Sequence, residues 1–360
     1  MNPPSEPECS VPEDLQFGFR IFRLSPFFAS PIYGTAVYLL IFHSGIHARR
    51  IRIIYLRNLA LWEVPTVSAY HLVSSNVLCM VTISIVLCPI FYLPMIGYQA
   101  IGLVRFVDIN LAIPPIFTVY CLLGVAVSIM NLFFYRLKAI ASMHMSVRNQ
   151  RILTNLRRLV YVTYVFLLLT CISFLGLLTV QSSQPTIKPM MFERYHISEV
   201  WCPKFIVADP ASWQIIIAII TSILFVSGAF LVVLLCGAFT LVLLLSARRN
   251  LSPQTLKIQK TFTAVLIVQA VVHVIFILVP IVCIAVAVYL EIWIRDGGLF
   301  FFLVESQQGT ASTLVFIFTH SVTKKSFKYA EYRIRKFFGL TRSDNIWRVS
   351  KVEARSKSVV

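Results

Sequence analysis

The sequence predicts an all-α membrane protein, a bundle of seven transmembrane helices with its amino terminus outside and its carboxyl terminus in the cytosol. Composition is the first observation: 58% of the 360 residues are hydrophobic and only 13% are charged, and the mean hydropathy is +0.80. A soluble domain has about 25% charged residues, so the bilayer is the solvent of this chain. The second and third observations are the spacing of the charges and the side on which the cations lie.

The long gaps between Lys, Arg, Asp and Glu locate the spans, because a bilayer span needs about 20 apolar residues. We expect the bundle to cover residues 24–322, after an extracellular segment, 1–23. Spans are predicted near residues 24–43, 71–95, 109–135, 159–180, 213–246, 261–289 and 299–322. Pro89 and Pro94 are expected to end the second span, and residues 181–212 form the longest polar connection.

The cations orient this bundle. The loops 44–58, 136–158 and 247–260, together with the tail 323–360, hold 25 of the 32 Lys and Arg residues. Cytoplasmic segments of membrane proteins carry such an excess, so these four segments are predicted to lie in the cytosol. The net charge of +17 also raises the question of nucleic acid. Because the cations flank the apolar runs, no nucleic-acid partner is expected.

The basic tail, residues 323–360, is predicted to contain an amphipathic helix. Phe327, Ala330 and Ile334 recur at helical spacing, and Lys and Arg residues lie between them. Such a helix binds the anionic lipids of the inner leaflet. A contact with a G protein is the alternative for the same residues.

Two of the eight cysteines, Cys9 and Cys202, would face the outside in this topology. That side is oxidising, so a disulfide between them is one interpretation. Two unpaired thiols are the other. The remaining six cysteines lie in apolar runs, where a cysteine usually acts as a small buried hydrophobe.

No pattern in the sequence indicates catalysis. There is no nucleophile with a base at motif spacing, no phosphate-binding loop and no His/Cys metal cluster. We therefore expect neither an enzyme nor a cofactor or metal site. The polar residues inside the spans indicate binding instead. Glu305 is the one acid within a span, and intramembrane acids often mark a binding site. An interfacial glutamate is the alternative, because Glu305 lies only about two turns from Gly298. Gln269 and His273 share one face of the sixth span and bond either a ligand or a neighbouring helix.

Three further residues indicate a moving part. Pro280 lies within the sixth span, where a proline removes a helix hydrogen bond and predicts a bend or a loosened segment. Tyr135 and Arg136 close the third span at its cytosolic end. An arginine there donates hydrogen bonds into the bundle or to a partner. The plainer alternatives are an ordinary bundle helix and a snorkelling cation.

Four segments carry a resemblance to a known family. They are PIFYLPMIGYQAIG at 89–102, SIMNLFFYR at 128–136, the stretch 251–280 with LSPQT, Gln269 and Pro280, and GTASTLVFIFTH at 309–320. In these the chain resembles nematode seven-transmembrane chemoreceptors of the Str superfamily, most of all serpentine receptor class H. It departs from the family at Phe134-Tyr135-Arg136, where relatives usually have Glu-Asn-Arg.

The resemblance implies a G-protein-coupled chemoreceptor in the plasma membrane, in the cilia of a sensory neuron. Its ligand would be a small odorant-like or pheromone-like molecule, bound between the outer halves of the spans beneath residues 181–212. The sixth span would swing about Pro280. The cleft for a heterotrimeric G protein would be lined by Arg136, Arg248, Arg249, Lys257 and Lys260.

Two rival functions remain open on the sequence. A channel or transporter usually shows midplane charges or matched broken helices in two halves, and here only Glu305 qualifies. A ligand-free membrane scaffold is the other rival. Currents without a G protein would indicate the first, and the absence of any activating compound would indicate the second.

Overall fold

The computed structural model describes residue 9, residues 13–38, 60–92, 95–141, 147–210, 212–246 and 253–290, residue 292 and residues 296–319. By its internal contacts the chain divides into two units, Met1–Phe316 and Ile317–Val360. The first contains nearly all of the described structure. Of the second, the structure describes only residues 317–319, the end of the last helix.

The described chain is mostly helical. Its α-helices are α1 (Glu13–Tyr38), α2 (Ala60–Val81), α3 (Ile113–Ala141), α4 (Val147–Gly176), α5 (Gln184–Tyr195), α6 (Trp213–Ser246), α7 (Pro253–His273), α8 (Val279–Tyr289) and α9 (Asp296–Thr319). A π-helical segment, Thr82–Leu87, extends α2, and a second, Val274–Leu278, joins α7 to α8. Short 3₁₀ turns occupy Leu103–Phe106, Leu177–Gln181 and Ser198–Trp201.

Three helices in the described part of the chain are long and apolar enough to cross a membrane, judged by length and composition. They cover Ile113–Ala141, Asn149–Gln181 and Trp213–Ser246. Shorter apolar helical stretches lie at His71–Leu87 and Thr263–Ile277. Each of the seven predicted apolar runs falls at least partly on a helix, and α6 has the same bounds as the fifth run.

The first two helices begin earlier than the predicted spans. The first begins at Glu13 rather than near residue 24, and it continues through the exposed Arg20 and Arg23. The second begins at Ala60 rather than near residue 71. Charge gaps mark only the apolar part of a helix, because backbone hydrogen bonds continue past a solvated charge. Charge gaps therefore locate apolar stretches and not helix ends.

The predicted second span, 71–95, extends past the observed helix, and the mostly helical chain also contains a small sheet. The helix stops at Leu87, Cys88 has a left-handed conformation with a φ of 42°, and strand β1 (Pro89–Tyr92) follows. With β2 (Gly97–Ala100) and β3 (Phe205–Val207) it forms an antiparallel sheet in the order β1-β2-β3. Pro89 has no N–H to continue the helix, and strands of three or four residues leave no charge gap to detect.

Tight backbone packing joins this sheet to α2. The Gly102 amide donates to the Leu87 carbonyl at 3.0 Å, and the Ile101 amide donates to the Cys88 carbonyl at 3.3 Å. Arg23 of α1 donates to the Ile101 carbonyl at 2.9 Å. The chain after β2 therefore satisfies carbonyls at the end of the π-helical segment, which have no partner within the helix.

The sheet and α5 together form a layer, which we call the cap, over one end of the helices. Gln184, at the start of α5, is buried, and its amide makes two hydrogen bonds to Val207 of β3. It donates from Nε2 to the Val207 carbonyl at 2.7 Å and accepts from the Val207 amide at 3.0 Å. Leaving such a buried amide unpaired costs about 1–3 kcal/mol, so this pair fixes α5 to the sheet.

Helix α3 lies at the centre of the remaining bundle and contacts α2, α4, α6 and α7. Small residues allow the close approaches. A Cβ at Gly124 of α3 would lie 3.0 Å from the Ser75 hydroxyl of α2, and one at Gly228 of α6 would lie 3.0 Å from the Thr163 hydroxyl of α4. Helices pack closely in membranes through such residues. The large buried residues of this core include Met130, Leu137, Phe225 and Leu244.

Candidate functional site

The polar residues singled out in the sixth and seventh spans are all buried. Glu305 of α9 is 8% exposed, and Gln269 and His273 of α7 are each 6% exposed. The Gln269 amide nitrogen donates to the Ser312 carbonyl of α9 at 3.4 Å. His273 Nδ1 lies 2.7 Å from the Gln269 carbonyl oxygen and must therefore donate to it. Gln269 thus joins the two helices, and Glu305 lies two turns along α9 from that junction.

Further polar residues on α1, α2 and α9 line the same interior. Tyr33, Asn76, Gln308 and Thr313 are each no more than 5% exposed. A Cβ at Gly309 would lie 2.5 Å from the Asn76 Cβ and would also meet the Tyr33 hydroxyl. Three helices therefore meet at Gly309 with almost no space between them. We call Tyr33, Asn76, Gln269, His273, Glu305, Gln308 and Ser312 the interior polar cluster.

Several atoms of this cluster lack a protein partner. The Asn76 Oδ1, the His273 Nε2 and both amide atoms of Gln308 are buried and make no hydrogen bond with any described residue. No hydrogen bond or ion pair joins Glu305 to another side chain in the described ranges either. Buried polar groups are nearly always paired, and unpaired ones mark a functional site or a bound molecule. The cluster can therefore hold a polar ligand.

The surroundings of Glu305 connect it to the cap. Cys79 of α2 faces both Glu305 and Cys121 of α3. One turn from Glu305 towards the cap, Phe302 stacks on Phe91 of β1 with ring centroids 4.5 Å apart. Phe91 also stacks on Tyr98 of β2 at 5.7 Å. The sheet therefore contacts α9 one turn from Glu305.

A disulfide secures the cap. Cys9 and Cys202 are bonded, with Cα atoms 5.6 Å apart. Gln99 of β2 donates to the Cys9 carbonyl at 3.2 Å, and Lys188 of α5 donates to the Cys202 carbonyl at 3.4 Å. Burial lowers the pKa of Lys188. The segment around Cys9 is thereby attached to the same layer as α5 and the sheet.

The local structure at Pro280 shows how the sixth span departs from a regular helix. This proline is buried in the first turn of α8, directly after the π-helical segment Val274–Leu278. A proline lacks the N–H that would bond four residues back, and its ring presses on that carbonyl. A widened π turn accommodates both effects and is frequent at functional sites. The loosened segment begins one residue after His273.

The residues assigned to a cytosolic cleft are described only in part. Arg136 and Tyr135 are half-buried in the last turns of α3. One helical turn before Tyr135, Asn131 accepts a hydrogen bond from the Tyr164 hydroxyl of α4 at 2.8 Å. Lys260 is exposed near the start of α7. Outside the described residues lie Arg248, Arg249, the side chain of Lys257 and the predicted tail helix.

Three members of the interior polar cluster, Gln269, His273 and Glu305, were predicted from the sequence. The other four were not: Tyr33, Asn76, Gln308 and Ser312. A search for uncharged amide residues within the apolar runs would have found Asn76 and Gln308. Within the described residues, no group of three or more His, Cys, Asp or Glu is arranged to hold a metal ion.

The sequence of this chain matches the model of one protein family. The family model described as Serpentine type 7TM GPCR chemoreceptor Srh matches residues 14–329, which covers the described helices from the second residue of α1 to the end of α9. No curated protein and no solved structure matches the chain. Because the match covers most of the chain, the protein belongs to the Srh family of serpentine seven-transmembrane chemoreceptors.

Proposed function

We propose that this protein is a G-protein-coupled chemosensory receptor that binds a small odorant-like or pheromone-like molecule and signals through a heterotrimeric G protein. The observation that carries the proposal is the interior polar cluster in a chain of a chemoreceptor family. Its Gln308 amide and His273 Nε2 are buried without a partner among the described residues, and Glu305 is buried on the same helix as Gln308. Receptors of this kind act in the plasma membrane, and sensory cilia are the proposed site. The family is one of receptors and not of enzymes.

The proposed topology places residues 1–23 and the cap outside the cell, a bundle covering residues 24–322 in the membrane, and the tail 323–360 in the cytosol. The distribution of Lys and Arg supports this orientation. The Cys9–Cys202 bond also supports it, because disulfides persist in oxidising compartments. In the cytosol, the basic tail would bind anionic lipids of the inner leaflet.

Epitope accessibility tests this topology. An epitope at Met1 is expected to be stained by antibody in intact cells, whereas an epitope at Val360 is expected to be stained only after permeabilisation. The reverse pattern would contradict both the orientation and the receptor function that depends on it. Staining of both epitopes after permeabilisation is the control for expression.

The ligand would bind at Glu305, His273 and Gln269, beneath the cap. A ligand shifts a conformational equilibrium only if it binds one state more tightly than the other. Gln269 and His273 lie directly before the π-helical segment and Pro280, so a ligand that contacts them acts on the loosened part of the sixth span. Movement there would open the opposite end, where Tyr135, Arg136, Arg248, Arg249, Lys257 and Lys260 would contact the G protein.

Substitution of Pro280 and Arg136 tests these moving parts. Pro280→Ala restores a helix hydrogen bond and removes the cause of the widened turn, and Arg136→Ala removes a donor from the proposed G-protein contact. A typical coupling free energy corresponds to a 5- to 150-fold effect, so each variant is expected to reduce ligand-stimulated nucleotide exchange at least about fivefold. The measurement is nucleotide exchange on a co-expressed G protein, at matched receptor levels.

Matched controls for both substitutions lie in the same chain. Pro31 is an exposed proline inside α1, and Lys138 is an exposed cation in the last turns of α3. Pro31→Ala and Lys138→Ala are expected to leave the response within about twofold of the wild type, because both side chains are exposed. Intact signalling in both Pro280→Ala and Arg136→Ala would refute the mechanism, and ligand-gated currents without a G protein would favour a channel instead.

A further inference from the structure

The chemistry of the interior polar cluster defines the class of ligand that it accepts, if the protein is the receptor proposed above. The region of the cluster around Glu305 has two ends along α9. At the cap end, Phe302 stacks on Phe91. At the other end, Gly309 packs against Tyr33 and Asn76. Seven residues separate Phe302 from Gly309, which corresponds to about 10 Å of helix. A ligand between them is therefore small.

Glu305 lies between these two ends. It is 8% exposed, and no described cation contacts it. On α1, Arg23 is bonded to the Ile101 carbonyl of the cap. A buried carboxylate without a partner costs several kcal/mol, and a hydrogen-bonded ammonium group offsets part of this cost. An anionic ligand would add repulsion to that cost.

A second set of unpaired atoms lies one turn further from the cap. The Gln308 amide follows Glu305 by three residues, or about 4.5 Å of rise. Both of its polar atoms are buried without a described partner, as is the His273 Nε2. With Nδ1 donating to the Gln269 carbonyl, the Nε2 of a neutral imidazole is an acceptor.

The antiparallel pairing of the sixth and seventh spans places His273 and Gln308 at the same height along the helix axes. Only residues 290–295 connect α8 to α9, so the sixth and seventh spans form an antiparallel hairpin. Gln269 bonds Ser312 across this pair. His273 lies four residues after Gln269, and Gln308 lies four residues before Ser312. Both are therefore displaced from that bond by one turn in the same direction, about 6 Å towards the cap.

We propose that the ligand is a small amino alcohol whose ammonium nitrogen and hydroxyl oxygen lie about 5 Å apart. The ammonium pairs with the Glu305 carboxylate. The hydroxyl, which both donates and accepts, donates to His273 Nε2 and accepts from the Gln308 amide. An apolar ligand of the same size leaves all three groups unpaired, so it binds more weakly. Phe302 and Phe91 exclude water from the ion pair.

Paired probes test this assignment on the purified full-length receptor, without a G protein. The probes are aminobutanol and meta-(aminomethyl)phenol, and their uncharged counterparts are butanediol and meta-(hydroxymethyl)phenol. We expect the amines to bind at least about 30-fold more tightly than the diols, as measured by competition binding or ligand-induced thermal stabilisation. Equal affinity of the charged and uncharged members of each pair overturns the proposal.

Variants identify the site. Glu305→Gln keeps the shape and removes the charge, and it is expected to lower amine affinity at least about 30-fold while leaving diol affinity unchanged. Glu305→Asp is expected to restore part of the preference for amines. Glu193→Gln, an exposed glutamate on α5, is the matched control and is expected to bind as the wild type does. Retained amine preference in Glu305→Gln overturns the proposal. If that variant does not fold, the wild-type comparison of amines with diols decides.

The assay separates this inference from the receptor function itself. Nucleotide exchange that is stimulated by a neutral compound, with no amine preference in binding, supports the receptor function and overturns the amino-alcohol assignment. Amine-selective binding that depends on Glu305, without nucleotide exchange, supports the assignment and contradicts signalling through the G protein that was tested.

Discussion

Removal of the Cys9–Cys202 disulfide is expected to destabilise the receptor by about 2–5 kcal/mol. The bond closes a loop with a sequence separation of 193 residues, so it removes many conformations from the unfolded chain. It also secures the cap, because Cys9 lies against Gln99 of β2 and Cys202 is fully buried beside β3. Cys9→Ser and Cys202→Ser should each lower the midpoint of thermal unfolding in detergent, and each should reduce the amount of receptor at the cell surface.

The double variant makes this prediction specific to the bond. Both single substitutions break the same disulfide, so Cys9→Ser/Cys202→Ser should cost little more than either alone. Cys171→Ser is the control, because Cys171 is a half-buried free thiol on α4, and it should change the free energy of unfolding by less than about 1 kcal/mol. If the two single effects simply added in the double variant, the loss would come from packing and not from the disulfide.

Charge spacing alone predicted where the apolar helices lie. The fifth run and α6 coincide because α6 contains no Lys, Arg, Asp or Glu, so the charge gap and the helix have the same ends. Pro280 also predicted a loosened segment, and a π-helical turn precedes it. In both cases the cause is local: a run of apolar residues, or one residue without an N–H.

The cap could not be predicted in the same way. Its strands contain three or four residues each, and β3 pairs with β2 from more than 100 residues further along the chain. The bond between Gln184 and Val207 and the packing of Gly102 on α2 are long-range contacts too. Such contacts depend on the assembled bundle, and a charge gap contains no information about them.

The site residues that could be predicted from the sequence are those whose chemistry is unusual for an apolar run. Glu305 is an acid in an apolar run, and Gln269 with His273 is a polar pair at helical spacing. Asn76, Gln308 and Tyr33 are uncharged, so they do not interrupt a charge gap. Their importance arises from burial without partners and from the close approach of three helices at Gly309. The sequence therefore indicated two of the contributing helices, and packing supplied the other two.

Gly102→Ala is expected to disrupt the attachment of the cap and to cost about 3 kcal/mol or more. Gly102 has a φ of −77°, which any residue can adopt, so the requirement for glycine comes from space and not from backbone strain. An added Cβ would lie 2.5 Å from the Ile85 carbonyl oxygen and 2.7 Å from the Val86 carbonyl carbon. Both are backbone atoms of the π-helical segment, so neither can rotate away as a side chain can. Thermal unfolding in detergent measures the loss.

The same substitution at Gly34 separates this clash from a general effect of alanine. Nothing lies within 4 Å of the Cβ position at Gly34, which is exposed on α1. Gly34→Ala should be neutral or stabilising by up to about 1 kcal/mol, because alanine favours a helix over glycine. Gly102→Ala should also weaken ligand binding, since Phe91 of β1 contacts α9 one turn from Glu305. If Gly102→Ala were as stable as Gly34→Ala, the packing of the cap against α2 would be incorrect.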